Sequence, residues 1–181
     1  LLSILNYDSA VASAASRMSA AAGTRPCIEM GSRRAHERAA VSAARAAVIA
    51  GFAATSNLEA GRRYGLETVG TSAFTLLHDS EREAFEAQLR SLGARTTLLV
   101  DTYDVDNAVR TAVELAGEEL GGVRLDSGDL VATAQRVREL LDSLGNSHTK
   151  ITVTSDLDEY AIASLAAAPV DSYGVGTKLV T

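Results

Sequence analysis

The chain has 181 residues, 46% of them hydrophobic and 22% charged, enough to bury the core of one globular domain. Its formal net charge of -6, with no basic run, argues against a nucleic-acid surface or a polybasic membrane anchor. The single cysteine, Cys27, excludes a disulfide framework and a thiolate zinc site and suits a reduced, cytoplasmic setting; no apolar stretch approaches the ~20 residues of a membrane span.

In chain order, residues 1–22 read as an Ala- and Ser-rich helix ended by Gly23, and 25–30 as a short strand. A long Ala-rich helix over 34–52 has neither Pro nor internal Gly before its last turn. A short strand over 53–56, a short helix over 58–64 closed by Gly65, and a strand over 67–69 follow. Residues 79–92 form a helix capped by Asp79 or Ser80, with acidic residues in its first turn and Gly93 after its end. From there strands and helices alternate regularly: strand 96–100, helix 105–120, strand 123–125, helix 130–144, strand 151–154, helix 159–167, and a last strand over 170–173 after Pro169. The strand runs are short, apolar and β-branched, as in strands covered on both faces. Such alternation implies right-handed crossovers and a parallel sheet, hence an α/β fold. A barrel and an open doubly wound sheet both fit, with about six strand candidates against the eight of a full barrel. The chain opens inside a helical pattern and stops just after a strand. It is therefore expected to be a single α/β core, 1–181, incomplete at both ends.

In either architecture sites form at the C-terminal ends of the strands. Here those ends read Glu29-Met30-Gly31-Ser32-Arg33-Arg34, Gly70-Thr71-Ser72, Asp101-Thr102-Tyr103-Asp104, Asp126-Ser127-Gly128-Asp129, Ser155-Asp156-Leu157-Asp158 and Gly174-Val175-Gly176-Thr177. Asp104, Asp129 and Asp158 stand where helix N-caps are expected. Asp101, Asp126 and Asp156 lie nearer the strand ends, where an inward carboxylate needs a cation, a metal or a sugar hydroxyl. Period-two alternation puts Arg124 and Asp126 on one side of their strand. That pair suits a phosphate and a ribose or metal; a surface ion pair is the plainer alternative. The glycines of Gly174-Val175-Gly176-Thr177 let a phosphate approach backbone amides, and a simple turn fits them equally. His36, His78 and His148 do not cluster and read as structural or exposed, and Cys27 reads as a small core residue.

Five of these segments, in order and spacing, resemble the nicotinate phosphoribosyltransferases: Glu29-Met30-Gly31-Ser32-Arg33-Arg34-Ala35-His36, Val69-Gly70-Thr71-Ser72-Ala73, Leu99-Val100-Asp101-Thr102-Tyr103-Asp104, Arg124-Leu125-Asp126-Ser127-Gly128-Asp129-Leu130 and Tyr173-Gly174-Val175-Gly176-Thr177. The resemblance implies an irregular TIM-like (β/α) barrel of the type II phosphoribosyltransferase kind, held here in part. It implies joining of nicotinate to phosphoribosyl pyrophosphate, giving nicotinate mononucleotide and pyrophosphate, as the salvage entry to NAD synthesis. ATP is the implied co-substrate, hydrolysed through a phosphohistidine, and Mg²⁺ the implied ion. A cytoplasmic homodimer with shared active sites is expected. By position, Arg124 would bind the phosphoribosyl substrate with Asp126 near its ribose. Gly176 and Thr177 would hold the 5′-phosphate, Arg33 and Thr71 would meet the nicotinate, and Asp156 would lie near the ribose or phosphate. Asp101 would stand near Mg²⁺. The family's phosphorylated His follows the small residue of Gly-Thr-x-Ala directly, whereas here Ala73 runs into Phe74 and the next histidine is His78. His78 in that role, a chain lacking the residue, and a short stretch missing between Ala73 and Phe74 are the three readings, the last preferred. A quinolinate phosphoribosyltransferase, or a non-catalytic fragment that binds phosphate or nucleotide, are the alternatives in function.

Overall fold

A computed structural model of the chain describes residues 2–70 and 80–181. The elements run α1 (Leu2–Ala22), β1 (Cys27–Glu29), α2 (Glu37–Ile49), β2 (Ala54–Thr55), α3 (Leu58–Tyr64), α4 (Glu81–Leu92), β3 (Thr97–Leu99) and α5 (Val105–Ala116). They continue with β4 (Gly122–Leu125), α6 (Leu130–Ser143), β5 (Lys150–Val153), α7 (Glu159–Ser164), β6 (Ser172–Val175) and α8 (Thr177–Val180). Two compact units result: Leu1–Gly70 with Thr154–Ala167 and Ser172–Thr181, and Thr71–Val153 with Ala168–Asp171.

In the first unit β1 pairs in parallel with β2 on one side and β6 on the other, with Glu29 opposite both Thr55 and Val175. Helix α1 packs on α2 and α7. Its buried residues Val11, Ala15, Met18 and Ala22 repeat at helical spacing, and Ala40, Ala43, Ala44 and Ala47 of α2 are likewise buried. Small residues on α2 fit the close approach of the two helices, which is how so Ala-rich a sequence builds a core. Arg25 closes the C-terminal end of α7: its guanidinium donates to the Leu165 and Ala166 carbonyls, both at 3.0 Å, and to the Tyr173 hydroxyl at 2.8 Å. A cation there complements the helix dipole.

In the second unit β4 lies between β3 and β5, all parallel, with Arg124 opposite Leu99 and Thr152. Leu98, Val100, Val123, Leu125, Ile151 and Val153 are buried, as expected of strands covered on both faces. Ala108, Val109 and Ala112 of α5 and Ala134, Val137 and Leu141 of α6 form the buried helix faces.

The structure shifts several expected boundaries. The helix expected from residue 34 starts at Glu37: Ser32–Arg34 is a short 3-10 turn, and His36 caps α2 by accepting the Arg38 N–H at 3.3 Å. The strand expected over 67–69 is a single bridge between Thr68 and Thr55. Helix α5 ends at Ala116, where Gly117 takes a φ of 64° and opens a 3-10 turn, rather than running to residue 120. Helix α7 stops at Ser164 rather than at 167. The last strand is Ser172–Val175, later than the expected 170–173, because Val170 turns back on the Ala168 carbonyl and the ladder with β1 begins where the Tyr173 N–H meets the Pro26 carbonyl. Gly174 and Val175 are therefore strand residues, and only Gly176-Thr177 follows the strand. Ser80 is the cap of α4, accepting the Glu83 N–H, while Asp79 lies outside the described residues.

Candidate active site

Three of the acidic residues at the strand ends take the helix-capping places expected of them. Asp104 caps α5 through the Asn107 N–H at 2.8 Å, and Asp129 caps α6 through the Ala132 N–H at 3.1 Å. Asp158 caps α7 through the N–H groups of Tyr160 and Ala161. These three carboxylates are occupied in holding helices.

Asp101, Arg124 and Asp126 gather at the C-terminal ends of β3 and β4. Arg124 Nη2 lies 3.6 Å from Asp126 Oδ2, with the side chains 14% and 37% exposed. Both are on the same side of β4, as the period of a strand requires. The burial of the Arg124 stem fixes its head, so the pair is worth more as geometry than a fully exposed one. Asp101 has turned its own carboxylate onto the next loop: Oδ2 accepts the Asp126 N–H and the Ser127 hydroxyl, each at 2.7 Å. Among the described residues no group of three or more His, Cys, Asp or Glu side chains is placed to hold a metal ion.

The other candidates belong to the first unit. Arg33 is exposed on the 3-10 turn after β1. Gly176 and Thr177 are half-buried at the start of α8. A Cβ on Gly176 would stand 3.0 Å from the Met30 carbonyl oxygen, and one on Gly174 would meet Thr154 Cγ2 at 2.5 Å and Met30 Sδ at 2.7 Å. Glycine at both places lets the β6 backbone lie close against Met30. Asp156 is exposed and follows Ser155, whose φ of 127° is one that L side chains rarely adopt. Thr71, and with it the Ala73–Phe74 junction and His78, lies outside the described residues.

Glu29, to which its place in the sequence assigns no role, is fully buried at the end of β1. Its carboxylate accepts the Gly31 N–H and the Thr55 hydroxyl, both at 2.5 Å. Burial pushes its carboxyl above the ordinary carboxylate range, against the pull of those two donors. The same charge, after burial and Asp8, helps hold the Tyr7 hydroxyl above its usual range. A carboxylate closing an apolar strand was the visible signal; its inward orientation was not. Cys27 is a core residue, its thiol pushed up to about 11 by burial, and His148 meets the Glu118 carbonyl.

A family model, the nicotinate phosphoribosyltransferase (NAPRTase) family, matches residues 26–181, a span that holds all of the strands and strand-end motifs but not α1. The chain belongs to the nicotinate phosphoribosyltransferase family. A nicotinate phosphoribosyltransferase of Mycobacterium tuberculosis is 61% identical over 191 aligned positions, covering all of this chain and 43% of the relative. One from Bacillus subtilis is 42% identical, covering all of this chain and 39% of the relative. The chain thus spans about two fifths of the length of these relatives. The 191 aligned positions exceed the 181 residues of the chain, so about ten positions of the Mycobacterium relative face gaps in it. Among solved structures, the nicotinate-nucleotide pyrophosphorylase of Pyrococcus furiosus superposes with a TM-score of 0.89 at 29% identity, over 96% of this chain and 47% of that one. Human nicotinic acid phosphoribosyltransferase superposes with a TM-score of 0.80 at 27% identity, over 94% of this chain and 47% of that one. The fold is the α/β, TIM-like barrel type of the type II phosphoribosyltransferases, present in part. No helix of the described residues is long and apolar enough to cross a membrane.

Proposed function

We propose that the protein carrying this chain joins nicotinate to phosphoribosyl pyrophosphate, forming nicotinate mononucleotide and pyrophosphate in NAD salvage. The observation that carries the reading is the family match over 26–181, with the motif Arg124-Leu125-Asp126-Ser127-Gly128-Asp129 folded into a braced cation–carboxylate pair.

The nicotinate ring nitrogen attacks the anomeric carbon as pyrophosphate leaves, through an oxocarbenium-like state. That nitrogen carries a lone pair at neutral pH and needs no general base, so the protein has to orient two reactants and balance charge. Orientation of this kind is worth ~7–11 kcal/mol. Arg124 binds the phosphoribosyl substrate, and Asp126 takes a ribose hydroxyl or the developing positive charge beside it. Gly176 and Thr177 hold the 5′-phosphate by donating to its oxygens from backbone amide and hydroxyl, and Asp156 serves the ribose or phosphate. Arg33 and Thr71 meet the nicotinate, whose carboxylate suits a guanidinium fork. With Oδ2 of Asp101 taken by two donors, its other oxygen and Asp126 are the carboxylate donors this loop offers Mg²⁺. One or two carboxylates plus substrate oxygens is the usual Mg²⁺ shell, and the ion would neutralise pyrophosphate oxygens. ATP is the proposed co-substrate, the cytoplasm the proposed compartment and a homodimer with shared active sites the proposed assembly.

The test is formation of nicotinate mononucleotide by the full-length protein, with and without ATP, and with quinolinate offered in place of nicotinate. Turnover of nicotinate, faster with ATP, is expected. Turnover of quinolinate alone overturns the reading in favour of the decarboxylating relative, and tight phosphoribosyl pyrophosphate binding with no turnover favours a binding module.

A further inference from the structure

Glu29 is the only charged side chain among the described residues that is buried, at 0% exposure. Burying a carboxylate is costly, and the donors it meets among the described residues, a backbone N–H and a hydroxyl, are both neutral. An apolar residue would fill the end of β1 at lower cost, so the arrangement points to a task other than packing.

The hydrogen bonds around it close into a ring. The Gly31 N–H donates to Oε1 and the Thr55 hydroxyl to Oε2. The Thr55 Oγ accepts the Asn57 N–H at 2.9 Å. The Asn57 amide then donates to the Ser32 hydroxyl at 2.9 Å, returning to the residue beside Gly31. Inside the turn, the Arg34 N–H donates to the Gly31 carbonyl at 2.8 Å. Gly31 is itself confined: a Cβ there would stand 2.6 Å from Val180 Cγ1 and 3.0 Å from Glu29 Oε1. The ring therefore grips the root of the 3-10 turn Ser32–Arg34 from β1, β2 and the α3 cap, while Arg33 and Arg34 project from it exposed. An exposed Arg has many rotamers, and fixing its backbone root is what limits where its head can go.

We propose that Glu29 is a positioning residue for Arg33, holding the 3-10 turn so that the guanidinium meets the carboxylate of the aromatic acid substrate. This rests on the reading in which Arg33 binds nicotinate. A residue acting in this way should affect one substrate and spare the other.

The experiment compares wild type with Glu29→Gln, Glu29→Ala and Ser32→Ala in the full-length protein, measuring kcat, both KM values and backbone hydrogen exchange over residues 30–35. Glu29→Gln is expected to raise the KM for nicotinate about tenfold, and Glu29→Ala on the order of a hundredfold, the scale of an ~1 Å misplacement. The KM for phosphoribosyl pyrophosphate is expected to stay within about twofold, and exchange over 30–35 to rise while the helices keep their protection. Ser32→Ala, which removes only the last link of the ring, gives a smaller rise in the same direction and stands in if Glu29 variants do not fold. The proposal is overturned if both KM values rise together, if neither moves, or if exchange in the turn is unchanged. Absence of nicotinate turnover in wild type would overturn the functional reading instead; exchange over 30–35 would still decide whether Glu29 holds the turn.

Discussion

The carboxylate of Asp101 holds the main chain of Asp126: one oxygen accepts both the Asp126 N–H and the Ser127 hydroxyl, each at 2.7 Å. The bracing gives Asp101 a task whether or not a metal binds. Asp101→Asn keeps an oxygen for both donors and removes only the charge, so it should melt within a few degrees of wild type. Asp101→Ala removes both hydrogen bonds, but water can reach the exposed Ser127 hydroxyl, so it should cost only about 1–2 kcal/mol. If Asp101 also serves Mg²⁺, the Asn variant needs several-fold more Mg²⁺ for half-maximal rate. A magnesium titration that superposes on wild type would remove the metal role and leave the brace.

Arg124 has a planar head held by a mostly buried stem, at 14% side-chain exposure. Lys at this position supplies charge without the two-pronged geometry. Arg124→Lys should raise the KM for phosphoribosyl pyrophosphate about tenfold to a hundredfold, corresponding to loss of one charged hydrogen bond of about 1.5–3 kcal/mol. The KM for nicotinate should change little, a pattern opposite to that expected of Glu29→Gln. Steady-state kinetics with each substrate varied in turn checks both.

Gly174 faces Thr154 and Met30 so closely that a methyl group would overlap their side-chain atoms, at 2.5 Å and 2.7 Å. Gly174→Ala should destabilise by about 1–3 kcal/mol through overpacking. Trimming a neighbour should recover part of the loss, so Gly174→Ala with Thr154→Ser is expected to unfold later in denaturant than Gly174→Ala alone. Additive effects in that cycle would contradict the packing explanation.

Burial raises the Glu29 carboxyl above its ordinary range, so the folded state holds a proton where the unfolded chain has lost it. The stability this group contributes is full below the ordinary carboxylate value of about 4.3 and is lost as pH rises through the raised folded value. Glu29→Gln removes that titration. The stability of wild type relative to Glu29→Gln should therefore fall as pH rises through this window. Glu81 shifts in the same direction, through burial and then Asp104, and is present in both proteins, so it cancels. Denaturant melts of the two proteins across mildly acidic pH give the difference directly.

The strand–helix alternation over 96–154 is legible in the residues alone, because short β-branched runs and amphipathic helices carry different periods. So are the helix caps of Asp104, Asp129 and Asp158, since capping is satisfied within three residues of the chain. The same-side placement of Arg124 and Asp126 followed from strand period alone and appears as their 3.6 Å pair. Features that depend on partners distant in sequence came from the packed fold. The start of α2 moved to Glu37 because residues 32–34 turn inside a hydrogen-bond ring closed by Thr55 and Asn57. The last strand moved to Ser172–Val175 because its ladder is with β1, nearly 150 residues earlier. Glu29 differs most: as a letter it is a polar residue ending a strand, and only the pairing of β1 with β2 brings the Thr55 hydroxyl to its buried carboxylate. Local periodicity records which face a side chain takes, whereas burial and hydrogen-bond partners are set by whichever element packs against that face.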